Sequence, residues 1–110
     1  MREPSFRVLW TEAAARDLED IIAFIAADSP GNARAVLARI KERAAALETH
    51  PARGRVVPEL ALFGFATWRE LIVKPHRLIY RVEEDRVFVL AVLDGRRDLE
   101  DLLLKRLVRS

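Results

Sequence analysis

The stretch WRELIVKPHRLIYRVEEDRVFVLAVL, residues 68–93, decides the fold. Three runs of apolar, β-branched and aromatic residues are separated by Lys74-Pro75 and by Glu83-Glu84-Asp85, which predicts strands over 68–73, 76–82 and 86–93. Connections that short demand antiparallel neighbours. The last run is apolar at nearly every position from Val87 to Leu93, so it reads as a central strand covered on both faces.

Upstream, the hydrophobic period changes. Phe6, Val8 and Trp10 alternate with Arg7, Leu9 and Thr11, the period-two pattern of a short strand. Thr11 is then placed to cap a helix carrying Leu18, Ile21, Ile22 and Ile25 on one face. Ser29-Pro30 starts a second helix with proline at its first position, and Ala33, Val36, Leu37, Ile40, Ala44 and Leu47 continue one face until His50-Pro51. Two helices joined by Asp28-Ser29 predict an antiparallel hairpin. From Ala52 to Phe65 the turn residues Gly54, Pro58 and Gly64 predict a surface loop. Downstream, Asp94-Gly95 ends the last strand. Leu99, Leu102, Leu103 and Leu107 mark an amphipathic C-terminal helix entered through Asp98. The expected architecture is α+β: a helical hairpin packed on an antiparallel sheet, in the order β-α-α-β-β-β-α, as one domain over residues 1–110.

Composition bounds the chemistry. A chain of 110 residues with 51% hydrophobic and 33% charged residues suits one folded domain with a solvated surface. It has no cysteine, which excludes disulfides, thiolate metal sites and a cysteine nucleophile and fits a reducing cytoplasm. No stretch approaches the roughly 18 apolar residues of a membrane span, and the N-terminus does not read as a signal peptide. Net charge is +2, and the cations are almost all arginine, with Lys41, Lys74 and Lys105 the three lysines. Arginine suits bidentate contacts to carboxylate and phosphate, but it also accumulates in proteins of GC-rich genomes. Two distant histidines, His50 and His76, provide no metal-site spacing, and no phosphate-cradling glycine loop or serine-nucleophile motif is present. Neither a metal nor a cofactor is expected.

Five segments in order carry a resemblance. These are Trp10-Thr11-Glu12-Ala13-Ala14 with Asp17-Leu18 and Ile21-Ile22, the break Asp28-Ser29-Pro30, and the loop Gly54-Arg55-Val56-Val57-Pro58-Glu59-Leu60. The strand Arg77-Leu78-Ile79-Tyr80-Arg81-Val82 and the ending Leu93-Asp94-Gly95-Arg96-Arg97-Asp98 complete the set. Together they resemble the ParE/RelE superfamily of bacterial type II toxins over nearly the whole chain, more closely its ParE branch. The resemblance implies a small cognate antitoxin partner, a toxin–antitoxin hetero-oligomer, and one of two activities. ParE-like members poison DNA gyrase. RelE-like members cleave messenger RNA on the ribosome without a metal.

The resemblance favours the first activity. When Arg77-Leu78-Ile79-Tyr80 is laid on the corresponding RelE strand, Arg77 and Arg97 fall on two active-site arginine positions. The two lysine positions become Trp68 and Glu70, and the tyrosine position becomes Leu103. A metal-free ribonuclease needs several positioned donors and a proton shuttle, and most of that set is missing. Arg69 is a poor substitute, because adjacent strand residues point to opposite faces. A ribonuclease of this chain would have to use Arg69, Arg77, Arg97 and His76. A gyrase-directed toxin would present Arg77, Arg81, Arg96, Arg97 and Arg106. A third reading is a degenerate member that only binds a partner.

Several residues keep two readings. His76 and Tyr80 share a strand face, where His76 is either a chemical group or a residue opening the strand, and Tyr80 is an aromatic whose hydroxyl finds water or backbone. Arg96 and Arg97 either bind an anionic partner or pair locally with Asp94 and Asp98. Leu18, Ile22 and Ile25 either line a groove that receives an antitoxin segment or belong to the core.

Overall fold

The computed structural model describes residues 5–58, 68–94 and 105. Its elements in chain order are β1 (Arg7–Trp10), α1 (Glu12–Ala26), α2 (Pro30–Ala45) with a 3-10 turn at Ala46–Glu48, and β2 (Arg55–Val56). The strands β3 (Trp68–Val73), β4 (His76–Glu83) and β5 (Arg86–Asp94) follow. The expected C-terminal helix over 99–107 lies outside the described residues, except for Lys105.

The five strands form one sheet in the order β1-β5-β4-β3-β2. The β2–β3, β3–β4 and β4–β5 ladders are antiparallel, as their short connections require. The β1–β5 ladder is parallel, with Arg7 opposite Arg86 and Trp10 opposite Val89. The sheet is therefore mixed rather than antiparallel throughout. No tight turn joins β1 to a neighbour, so its direction is set by how the whole helical hairpin returns the chain across the sheet. A second departure is β2, a two-residue strand inside the expected loop, where Arg55 pairs with Glu70 and Val56 with Arg69.

Both helices start where their caps predict. The Thr11 hydroxyl accepts the Ala14 N–H at 3.1 Å and donates to the Val89 carbonyl at 3.0 Å, so one side chain caps α1 and ties it to β5. Asp17 adds a second tie, accepting the Val92 N–H at 3.0 Å. Ser29 accepts the Asn32 N–H with Pro30 at the first helical position of α2. The hairpin covers one sheet face, burying Leu18, Val36, Ile40 and Leu47 against Leu71, Val73, Leu78, Tyr80, Val87, Val89 and Val92. Burying each large aliphatic side chain contributes about 1.5–3 kcal/mol.

The opposite sheet face carries its own buried cluster of Val57, Trp68, Ile79, Ala91 and Leu93. The apolar run of β5 thus supplies both faces, as expected. A register shift makes this possible: Tyr80 faces Val89 while Ile79 faces Ala91, leaving Leu90 as the extra residue. Beyond it the alternation is reset, so Val92 joins Val87 and Val89 under the helices while Ala91 and Leu93 turn away.

Candidate functional site

Pleating sorts the arginines of β3 and β4. Trp68, Glu70 and Ile72 point away from the helices, and register places Arg81, Ile79 and Arg77 opposite them. Glu70 is the centre of this face. Its side chain is fully buried, and each carboxylate oxygen is taken by a guanidinium: Oε1 by Arg55 Nε at 2.7 Å, Oε2 by Arg77 through Nε at 2.9 Å and through Nη2. Burying a carboxylate without partners is prohibitive, so two arginines are what permit a glutamate here. Their exposures differ sharply: the Arg77 side chain is 11% exposed and that of Arg55 63%.

On the helix-facing side, Tyr80 organises the 49–58 segment. Its hydroxyl accepts the Gly54 N–H at 2.8 Å and donates to the Pro51 carbonyl at 2.7 Å. Arg69 Nη1 donates to the Gly54 carbonyl at 2.8 Å. A Cβ at Gly54 would collide with the Glu70 carbonyl oxygen and the Tyr80 ring and hydroxyl, so the close approach requires glycine. Burial raises the Tyr80 pKa above 10, with the Gly54 N–H and the Arg69 charge opposing the shift, so the phenol stays neutral at physiological pH. Its hydroxyl clasps the turn through both bonds.

These placements separate the residues that a ribonuclease would need to converge. Arg69 and Arg77 lie on opposite sheet faces. His76 shares the face of Arg69 but pairs with Val73, four residues along β3, or about 13 Å at strand spacing. It lines a cavity of about 480 Å³ with Phe24, Ile25, Arg39 and Asp94. Arg81 bonds Glu83 at 3.1 Å and sits 5.7 Å from the Phe88 ring centroid, with Arg86 also against that ring. Arg96, Arg97 and Arg106 lie outside the described residues.

A second candidate surface lies at the β1 edge. A groove of about 820 Å³ runs between β1 and the helical hairpin, with Val8, Trp10, Leu18, Ile22 and Leu37 as its apolar lining and Glu19 and Lys41 as charges. Arg7 N–H and Thr11 N–H donate to Asp85 and Val89 carbonyls of the β5 side, so the alternating amides of Val8 and Trp10 face outward. Among the described residues no strand pairs with that outer edge. Leu18 and Ile22 thus share one groove, while Ile25 lines the other cavity. Leu18 is also core, 7% exposed, so both readings of it apply. Sequence reasoning did not assign a role to Arg55 or an anchor role to Glu70. The available signal was a glutamate in an otherwise apolar strand.

Comparison with known proteins bears on the same residues. The family model described as ParE toxin of type II toxin-antitoxin system, parDE, matches residues 8–99. "Putative toxin Y4kP" of Sinorhizobium fredii (strain NBRC 101917 / NGR234) is 33% identical over 99 residues, spanning 88% of this chain and 96% of the relative. Among solved structures, a chain of the chromosomal ParDE toxin–antitoxin system from P. aeruginosa superposes with a TM-score of 0.65 at 21% identity, covering 84% of this chain and 98% of that one. A chain of the toxin–antitoxin complex RelBE2 from Mycobacterium tuberculosis gives 0.60 at 24% identity, covering 84% and 94%. Both share the fold.

Proposed function

The chain belongs to the ParE toxin family of type II toxin–antitoxin systems, and on that premise we propose that it acts by poisoning DNA gyrase and is silenced by a cognate antitoxin bound along the β1 groove. The observation that carries the first part is the state of Glu70. Where a RelE-like ribonuclease would offer a lysine to the RNA backbone, this chain has a buried carboxylate that consumes Arg77. With Arg77 engaged and Arg69 on the other face, these described arginines do not converge as phosphorane stabilisation requires. A gyrase-directed toxin needs only a binding surface, and of the two described arginines expected there, Arg81 is the accessible one. Arg96, Arg97 and Arg106 complete the proposed surface.

The antitoxin part rests on the open edge and the groove together. An extended segment would gain main-chain hydrogen bonds from β1 while placing apolar side chains against Trp10, Leu18 and Ile22. Segments that fold on binding wrap such surfaces at an ordering cost that buried apolar area offsets. The resulting hetero-oligomer would be destabilised at least tenfold by Glu19→Lys combined with Ile22→Glu. An unchanged dissociation constant would place the antitoxin elsewhere.

The deciding experiment uses toxin freed from its antitoxin in two parallel assays: gyrase supercoiling of plasmid DNA, and integrity of a message on programmed ribosomes. Lost supercoiling with intact message is the expected result, and Arg97→Glu should abolish it without unfolding the protein. Codon-phased message cleavage with normal supercoiling would overturn the proposal in favour of a ribosome-dependent ribonuclease. Neither effect, with normal growth on expression alone, would leave a non-toxic binding partner.

A further inference from the structure

We propose that a second copy of this chain docks on the helical hairpin at Phe24, giving a symmetric homodimer in which α1 of each copy lies against α2 of the other. The starting observation is Phe24 itself, a large apolar side chain near the C-terminal end of α1 that is 82% exposed. The fold leaves that ring in water. Beside it opens a recess of about 480 Å³, with Ile21, Ile25, Val36 and Pro75 as its apolar lining and Phe24 at its rim. One patch thus carries an apolar ridge and an apolar hollow side by side. A two-fold interface uses the same patch twice, so it needs a surface that complements itself. Phe24 of each copy entering the recess of the other meets that requirement.

Charge selects the arrangement. α1 has four carboxylates against one cation, Arg16, and α2 has four cations against one carboxylate, Glu42. A two-fold that set α1 on α1 would bring like charges together, whereas α1 on α2 pairs opposite charges in both halves of the dimer. At the recess the same complementarity falls on Asp20 and Arg39, which line it from α1 and from α2. Both are exposed, and among the described residues neither has an ion-pair partner. Asp20 of one copy therefore meets Arg39 of the other, twice per dimer, as a charged rim around an apolar centre. The two rings remove about 300–500 Å² from water, against about 1,600 Å² in a stable complex, so the dimer is concentration-dependent rather than obligate.

The recess shares no residue with the β1 groove, which uses Leu18, Glu19 and Ile22 on the other flank of α1. Dimerisation therefore leaves the proposed antitoxin site open, and each copy can carry one antitoxin. This inference goes beyond the gyrase and antitoxin readings and is measured without either partner.

Sedimentation equilibrium of antitoxin-free protein, up to high micromolar concentration, is expected to show reversible monomer–dimer exchange. Phe24→Ser should weaken dimerisation about tenfold or more with the thermal melt unchanged, because the ring it removes is already in water. Asp20→Arg and Arg39→Asp each replace two opposite-charge contacts by repulsion and should each weaken it about threefold or more. Combined in one chain, the two changes restore the contacts with reversed sign and should return affinity to within about twofold of the parent. Glu19→Arg makes the same charge change one residue away, in the β1 groove, and should shift affinity less than about twofold.

A parent that stays monomeric at every concentration, or a dimer untouched by Phe24→Ser, would overturn the proposal. A combined variant no better than its singles would overturn the facing of α1 on α2, and an equal loss in Glu19→Arg would replace the Asp20–Arg39 contact by net charge. A monomeric parent whose antitoxin affinity falls on Phe24→Ser would reassign the patch to the antitoxin.

Discussion

Removing Glu70 should expose how unequal its two ion pairs are. In Glu70→Ala, Arg55 simply rehydrates, since its side chain is already 63% exposed, and an exposed pair contributes about 0–1 kcal/mol. Arg77 cannot, because only 11% of its side chain reaches solvent. Removing one partner of a buried ion pair costs about 3–5 kcal/mol. Against a total stability of about 5–15 kcal/mol, that approaches unfolding at physiological temperature. The expected fall in Tm is on the order of 15–30 °C for a domain of this size. Arg77→Met leaves the buried carboxylate held through Oε1 by Arg55 and should cost about 1–3 kcal/mol, whereas Arg55→Ala should cost about 1 kcal/mol or less. Glu70→Met with Arg77→Met replaces the pair by apolar volume and should recover to within about 1–2 kcal/mol of the parent. Urea melts with a constant m-value, arranged as a double-mutant cycle, give the coupling directly. A Glu70→Ala loss below 1 kcal/mol, or a double variant as unstable as the sum of its singles, would refute the buried-pair argument.

Two other perturbations test the clasp and the cap. Tyr80→Phe leaves the Gly54 N–H and Pro51 carbonyl without their shared hydroxyl and should cost about 1–3 kcal/mol by denaturant titration. The same hydroxyl predicts alkaline sensitivity. Its folded pKa lies above the unfolded value of about 10, so the Tyr80 contribution is intact below pH 10 and lost as pH rises toward the folded value. Thermal melts of the parent should therefore decline more steeply above pH 10 than those of Tyr80→Phe, and parallel curves would count against the shift. Thr11→Ala removes both the α1 cap and the bond to Val89, for about 1–2 kcal/mol in the same assay. A loss under 0.3 kcal/mol would show that the Thr11 bonds are dispensable beside the Asp17 tie and the apolar packing of α1.

Much of this protein is local and was therefore legible in the amino-acid sequence. The starts of α1 and α2 follow from Thr11 and from Ser29-Pro30, because caps act within three residues. The β3–β4 and β4–β5 pairings follow from two short connections, because a short loop leaves one direction for the return strand. The ParE family was legible for a related reason: three of its recognisable segments, around Trp10–Ile22, Asp28–Pro30 and Arg77–Val82, sit on these local elements. What tertiary structure alone decided is long-range. No local pattern says that β1 lies parallel to β5, that Leu90 resets the faces of the last strand, or that two residues of a turn-rich loop form β2. Those outcomes depend on which apolar faces meet after the chain has crossed the sheet. The fate of Glu70 is of the same kind. Arg55 and Arg77 are 15 and 7 residues away from it in the chain, and only the register of β2, β3 and β4 brings two cations to one buried carboxylate. Sequence shows the charges, but folding selects the pairs, because the cost of burying a charge is set by what surrounds it in three dimensions.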